Sequence, residues 1–176
     1  MSQLMEDKAL LKVLIQAEAV LRAQLALYQG MLDLLGRKRS AMRAARHAEL
    51  AALVVEENKL VQRVSELEKH RLALAAELTR RLAPGSAAPL RLSEVAGLAP
   101  QPWGAKLEAL GAELRRVMAR VKVEADVARR AAQAVLRHVT GMVQAVTAKA
   151  TGTATYGPRG DGGRKRAVVS TFVATA

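Results

Sequence analysis

The chain has 176 residues, a formal net charge of +12, 51% hydrophobic but only 2% aromatic residues, and no cysteine. This length suits one domain with an extension, and the lack of thiols excludes disulfides, cysteine nucleophiles and thiolate metal sites. With so few rings, and an apolar fraction built from Ala, Leu and Val, thin helix-on-helix packing is expected in place of a thick core or a β-sandwich.

Glu6 and Asp7 precede the first apolar stretch, the reverse of the basic start of a secretory signal. No apolar run approaches the roughly 20 residues of a membrane-spanning helix, so a cytoplasmic protein is expected. Leu11, Leu14, Leu21, Leu25, Tyr28, Leu32 and Leu35 then recur three and four positions apart. That is the return period of one side of an α-helix, and it predicts a first helix over about 4–44. Glu18 with Arg22 and Asp33 with Arg37 support it in the acid-first order, by tenths of a kcal/mol each. Gly30 and Gly36 oppose it by up to about 1 kcal/mol each, which makes a kink there unsurprising.

The seam slips by one residue before it resumes as Leu50, Leu53, Leu60, Val64, Leu67, Leu74 and Leu78. A break near 44–47 accounts for the slip and predicts a second helix over 47–82, antiparallel to the first. The alternative is one continuous rod from Leu4 to Leu82, longer than about 100 Å at 1.5 Å per residue. Glu56, Glu57, Glu66 and Glu68 read as solvated.

Pro84, Gly85 and Pro89 end the second helix and open a connector over 83–102. Within it Ser93, followed by Glu94, is suited to cap a short helix through Leu98. Leu90, Leu92, Val95 and Leu98 are expected to fold back over the bundle end, with Trp103 as a core anchor at the start of a third helix over 103–149. Leu110, Leu114, Val117, Val121, Val135, Val139, Met142 and Val146 form most of its seam. Ala125, Ala128 and Ala132 replace large residues at its middle, which suits either tight packing on the hairpin or a groove for a partner helix.

From 150 to 176 the density of Gly, Thr and Pro argues against a helix and for a flexible tail. Tyr156 and Phe172, half of the four aromatics, fall there, the latter in an apolar group with Val168, Val169 and Val173. The fold expected is all-α: an elongated antiparallel three-helix bundle over 1–149, made of a helical hairpin, a short connector helix and a third helix, with a flexible C-terminal tail.

His47, His70 and His138 are the obvious candidates for proton transfer near neutral pH, and none has a second ligand at a metal-binding spacing. The glycines near 160 lack the strand and the Lys-Ser/Thr of a phosphate loop. No catalytic, cofactor or metal site is expected, and no small-molecule substrate. The basic residues fall in short groups on different helices, such as Arg37, Lys38 and Arg39, or Arg80 and Arg81, interspersed with acids. Solvated helix faces explain that better than a nucleic-acid surface, though a basic helical nucleic-acid binder stays open as an alternative, as does a self-assembling coiled coil.

Several stretches carry a family resemblance. They are Tyr28-Gln29-Gly30-Met31-Leu32, Arg37-Lys38-Arg39-Ser40-Ala41-Met42, and the second-helix set Leu50, Leu53, Glu56-Glu57, Leu60, Leu67-Glu68 and Arg71. Leu92-Ser93-Glu94-Val95, the run from Val135 to Val139, and the Thr-Tyr-Gly around Tyr156 join them. Together they resemble the FlgN family of flagellar type III export chaperones. The resemblance implies a cytoplasmic chaperone that binds the C-terminal regions of hook-filament junction proteins, also called hook-associated proteins. It further implies that the chaperone prevents their premature assembly and delivers them to the export gate. The client contacts expected on the chain are Val135, Val139, Met142 and Val146 of the third helix, with Tyr156 and Phe172 of the tail. The same third-helix residues suit the bundle core equally well.

Overall fold

The computed structural model describes residues 2–150, and the side chains of 7–148. Four helices account for most of them: α1 (Ser2–Arg43), α2 (His47–Leu82), α3 (Leu92–Leu98) and α4 (Trp103–Ala150). No strand occurs among the described residues. The chain divides into two units, Met1–Gln133 and Ala134–Ala176. The first holds the bundle.

α1 and α2 are separate helices joined by a three-residue turn. Ala45 lies in the left-handed region with φ of 52°. Around it the Arg46 N–H donates to the Ala41 carbonyl (3.0 Å) and the Ala45 N–H to the Met42 carbonyl (3.3 Å). That pair of bonds closes a helix end by the Schellman arrangement, which satisfies carbonyls the helix leaves over. Glycine is the usual residue at the left-handed position, so an alanine there hides the turn from a reading based on breakers.

The hairpin register is fixed by polar contacts across it. Arg37 reaches Glu56 (3.1 Å), Lys38 reaches Glu57 (2.5 Å), and the buried Gln24 donates to Glu68 (3.1 Å). From Gln24 to Arg37 along α1 the partner steps back from Glu68 to Glu56 along α2, as antiparallel packing requires. Arg71 also donates to both oxygens of Glu68, at 2.8 and 2.5 Å, and this bond holds the carboxyl below the usual carboxylate range. Glu56, Glu57 and Glu68 are thus engaged, contrary to the expectation that they are merely solvated. Glu18 and Arg22 pair as expected at 2.7 Å, whereas Arg37 takes Glu56 across the hairpin in place of Asp33, the expected partner four residues before it.

α1 is the central helix. Its Leu34 and Ala41 bury against Leu53 of α2, while its Leu35 buries with Val117, Val121 and Ala128 of α4, flanked by Tyr28, Met31, Leu32 and Met42. Nearer its start, Val13, Leu14, Ala17 and Leu21 share a core with Leu78 of α2, Val95 and Ala96 of α3, and Leu107, Leu110 and Leu114 of α4. The early part of α1 therefore meets the early part of α4. An ion pair from Arg39 to Glu124 (2.7 Å) joins them further along. α4 runs parallel to α1 and α2 antiparallel to both, an up-down-up order. Leu11, assigned to the core seam from its spacing, is exposed, and Val13 takes the buried place one turn before Ala17.

The connector is held to α2 by Thr79, a buried hydroxyl that donates to the Ala75 carbonyl (2.7 Å) and accepts from the Leu90 N–H (2.8 Å). α3 is capped at Arg91, two residues before the expected Ser93, with the Glu94 carboxylate accepting the Arg91 N–H at 2.6 Å. Val95, Ala96 and Ala99 face the core, and Leu98 does not: it is exposed, contrary to expectation. α3 sits close over α4 because Gly104 and Gly111 leave room. A Cβ on Gly104 would collide with the Ala96 carbonyl oxygen, and one on Gly111 would come within 2.8 Å of Leu92. Trp103 packs partly buried against this core, as expected of an anchor, with the Lys106 ammonium 4.7 Å from its ring centre. No helix among the described residues is long and apolar enough to cross a membrane.

Candidate functional site

α4 is continuous through both units, and so is the phase of its apolar stripe. Residues 107, 110, 114, 117, 121 and 128 are buried and recur at helical spacing; 135, 139, 142 and 146 extend the same line by steps of three, four and seven. The later residues are nonetheless exposed, from 49% for Val139 to 68% for Val146. Leu136 and Val143 lie beside them, exposed as well, and widen the line into a stripe of six aliphatic side chains. A seam of one residue per turn does not include these two. Their signal was available: each sits one position after a seam residue, where an apolar face broader than a coiled-coil line has its second row.

Of the three alanines expected to line the middle of the helix, only Ala128 is buried, against Leu35, Val117 and Val121. Ala125 and Ala132 are exposed, so tight packing on the hairpin holds for Ala128 alone. The borders of the late stripe are sparingly polar. The Thr140 hydroxyl donates back to the Leu136 carbonyl (2.9 Å) and that of Thr147 to the Val143 carbonyl (2.6 Å). Arg129 is paired with Asp126 at 3.2 Å.

Four of the six residues singled out from sequence, Val135, Val139, Met142 and Val146, thus share one exposed helix face. The other two, Tyr156 and Phe172, lie outside the described residues. No group of three or more His, Asp or Glu side chains is placed to hold a metal ion among the described residues. The basic groups of the hairpin are largely occupied: Arg37, Lys38 and Arg39 pair with Glu56, Glu57 and Glu124, and both Arg80 and Arg81 pair with Glu77. What the late face offers chemically is apolar contact.

No curated protein and no solved structure matches the chain. The family model described as FlgN protein matches residues 5–162, which takes in all four helices and most of the chain. The chain therefore belongs to the FlgN family, the flagellar export chaperones.

Proposed function

We propose that the chain is a cytoplasmic chaperone for the hook-filament junction proteins, binding their C-terminal regions through late α4 and the tail. Binding there keeps the clients from assembling early and lets the complex be delivered to the export gate. The observation that supports this reading is the exposed continuation of a core seam: Val135, Val139, Met142 and Val146 hold core positions and lack cover among the described residues. Contiguous exposed apolar faces mark interaction sites, whereas scattered apolar residues do not. Covering the six half-exposed side chains contributes about 1 kcal/mol each. Roughly 6 kcal/mol in all, offset by the freedom lost on association, suits a reversible complex that releases its cargo. Tyr156 and Phe172 add contact from the tail in this scheme.

Co-purification from the native cell tests it. The full chain is expected to recover hook-associated proteins, and both deletion of 150–176 and the joint substitution Val135→Ser, Val139→Ser, Met142→Ser and Val146→Ser are expected to reduce that recovery at least tenfold, with helicity unchanged. Undiminished recovery by the serine variant would remove late α4 from the client site. Recovery of nucleic acid alone, released by added salt, would replace the chaperone reading with its rival.

A further inference from the structure

We infer that the first unit carries a docking surface of its own, a groove between α2 and α4 that takes a partner's amphipathic helix with acids along its α4-facing edge. The connector shows that a helix can sit there. Its Leu90 N–H binds Thr79 of α2, while Leu92 and Ala96 of α3 lie against Gly111 and Gly104 of α4. α3 therefore runs antiparallel to α4, and its cover ends at Leu92. Beyond that point the same position is open among the described residues. Arg71 lines the cavity under Leu90 and Leu92, which puts it on the α3 side of α2. Burial first, and then Glu68, raise the pKa of the Tyr28 hydroxyl while Arg71 lowers it, so Tyr28 lies beside this α2 pair. Tyr28 also packs, partly buried, against the α4 cluster of Val117 and Val121 and so forms a floor between the two walls. Seven residues before Arg71 and Glu68, Val64 is partly buried and Val61 exposed; seven residues after Gly111, Met118 is exposed. In this half of the bundle Leu34 and Ala41 pack with Leu53 of α2, and Leu35 packs with α4, in separate clusters. α2 and α4 thus lean on different sides of α1. From 115 to 128 along α4 the open length is about 20 Å, room for nearly four turns of helix.

Charge selects the occupant. The α4 wall carries Arg115 and Lys122, both exposed and in no ion pair among the described residues. The Arg115 guanidinium stands at the mouth of the groove, 3.7 Å from where a Cβ on Gly111 would lie and beside Leu92. The acids nearest the groove are already engaged: Glu57 with Lys38, Glu68 with Arg71, Glu124 with Arg39 and Asp126 with Arg129. Its uncompensated charge is therefore positive, and acids on an incoming helix lie within the reach of about 8–10 Å over which charges act at physiological salt. The apolar side of that helix meets Tyr28, Val61 and Met118 at helical spacing, as helix-in-groove recognition requires. A second copy fits less well. Its exposed apolar helix is late α4, and from Val127 to Gly160 the sequence has no Asp or Glu to offer Arg115 and Lys122.

The test uses the full chain and labelled helical peptides of about 18 residues, alike in their Leu positions but edged with Glu, Gln or Lys. The Glu-edged peptide is expected to bind about tenfold more tightly than the Lys-edged one near 50 mM salt, with the gap closing to about twofold near 500 mM. The double variant Arg115→Glu, Lys122→Glu is expected to erase or invert that order. Val61→Ser with Met118→Ser changes exposed side chains only, so the bundle folds, and it is expected to weaken the Glu-edged peptide at least fivefold. The serine variant of late α4 is expected to bind that peptide as the unaltered chain does. Equal binding of the Glu and Lys peptides, or binding of none, would overturn the inference. So would binding that survives the groove substitutions and is lost with the late α4 ones, or a dimer in sedimentation that the groove substitutions abolish. Client recovery that ignores late α4 would sink the chaperone reading above and leave this surface standing.

Discussion

The two parts of α4 carry one spacing rule and have opposite fates. Leu107, Leu110, Leu114, Val117 and Val121 are buried, while Val135, Val139, Met142 and Val146, in the same phase on the same helix, are exposed. Periodicity states which side of a helix is apolar; burial requires a neighbour with residues to offer. α1 supplies them to the first part, and its last contributions are the Arg39 ion pair to Glu124 and Met42, which packs against the cluster of Leu35, Val117, Val121 and Ala128. α1 ends at Arg43. The late stripe has no cover among the described residues, and the proposed client site rests on that exposure.

Paired substitutions put that contrast to its strongest test. Leu107 is fully buried, so Leu107→Ala is expected to destabilise the protein by about 3 kcal/mol through lost transfer energy and the cavity left behind. Thermal unfolding would fall by roughly 10 °C. Val139→Ala, half exposed, is expected to change stability by less than about 0.5 kcal/mol. Comparable losses at both positions, measured by chemical denaturation, would mean that the late seam is covered after all.

Much of this architecture was legible in the residues. The α2 seam was, because α2 buries one side only: Leu53 and Leu78 are buried and Leu50, Leu60, Val64, Leu67 and Leu74 are partly so, as their spacing predicts. α1 was read less well because it serves two neighbours. Leu34 and Ala41 turn to α2 while Leu35 turns to α4, and a single seam cannot hold both lines. The ion pairs that set the hairpin register join residues 19 apart in sequence, where no local rule reaches. The Arg91 cap was hidden because its side chain offers no acceptor; Glu94 does the capping from three residues on. At the late face, spacing marked four residues but could not distinguish core from docking surface, since both use the same pattern.

The turn at Ala45 acts on the first unit alone and so separates the two parts of the chain more finely. An L-residue in the left-handed region is strained by about 1–2 kcal/mol, and glycine relieves this while losing about 0.5–1 kcal/mol to its greater freedom when unfolded. Ala45→Gly is accordingly expected to stabilise the bundle by roughly 1 kcal/mol or slightly less, raising the unfolding midpoint by about 2 °C. Ala45→Val, with a branched side chain at φ of 52°, is expected to move it the other way. Amide exchange at 135–148 should be the same in both variants. A change there would show that late α4 draws its order from the hairpin turn.

The smallest effect is also the most discriminating, because it makes one chemical change in two settings. Gly36 in α1 and Gly141 in late α4 are both inside helices, and a Cβ at either meets nothing within 4 Å. Alanine is thus free to replace each, with a helix-propensity gain of up to about 1 kcal/mol. At Gly36 that gain accrues to a helix that must melt for the bundle to unfold, so Gly36→Ala is expected to raise global stability by about 0.5–1 kcal/mol. At Gly141 it accrues to a stretch with exposed side chains, which is expected to fray independently of the core. Gly141→Ala is expected to slow amide exchange around 138–145 several-fold and leave the global midpoint within experimental scatter. Position 141 lies across the helix from the stripe, so the substitution does not touch the apolar face and pre-orders it for a partner. Client affinity should then rise by up to about fivefold, the ordering free energy no longer being lost on binding. A rise in the global midpoint equal to that of Gly36→Ala would instead mean that the two parts of α4 unfold as one.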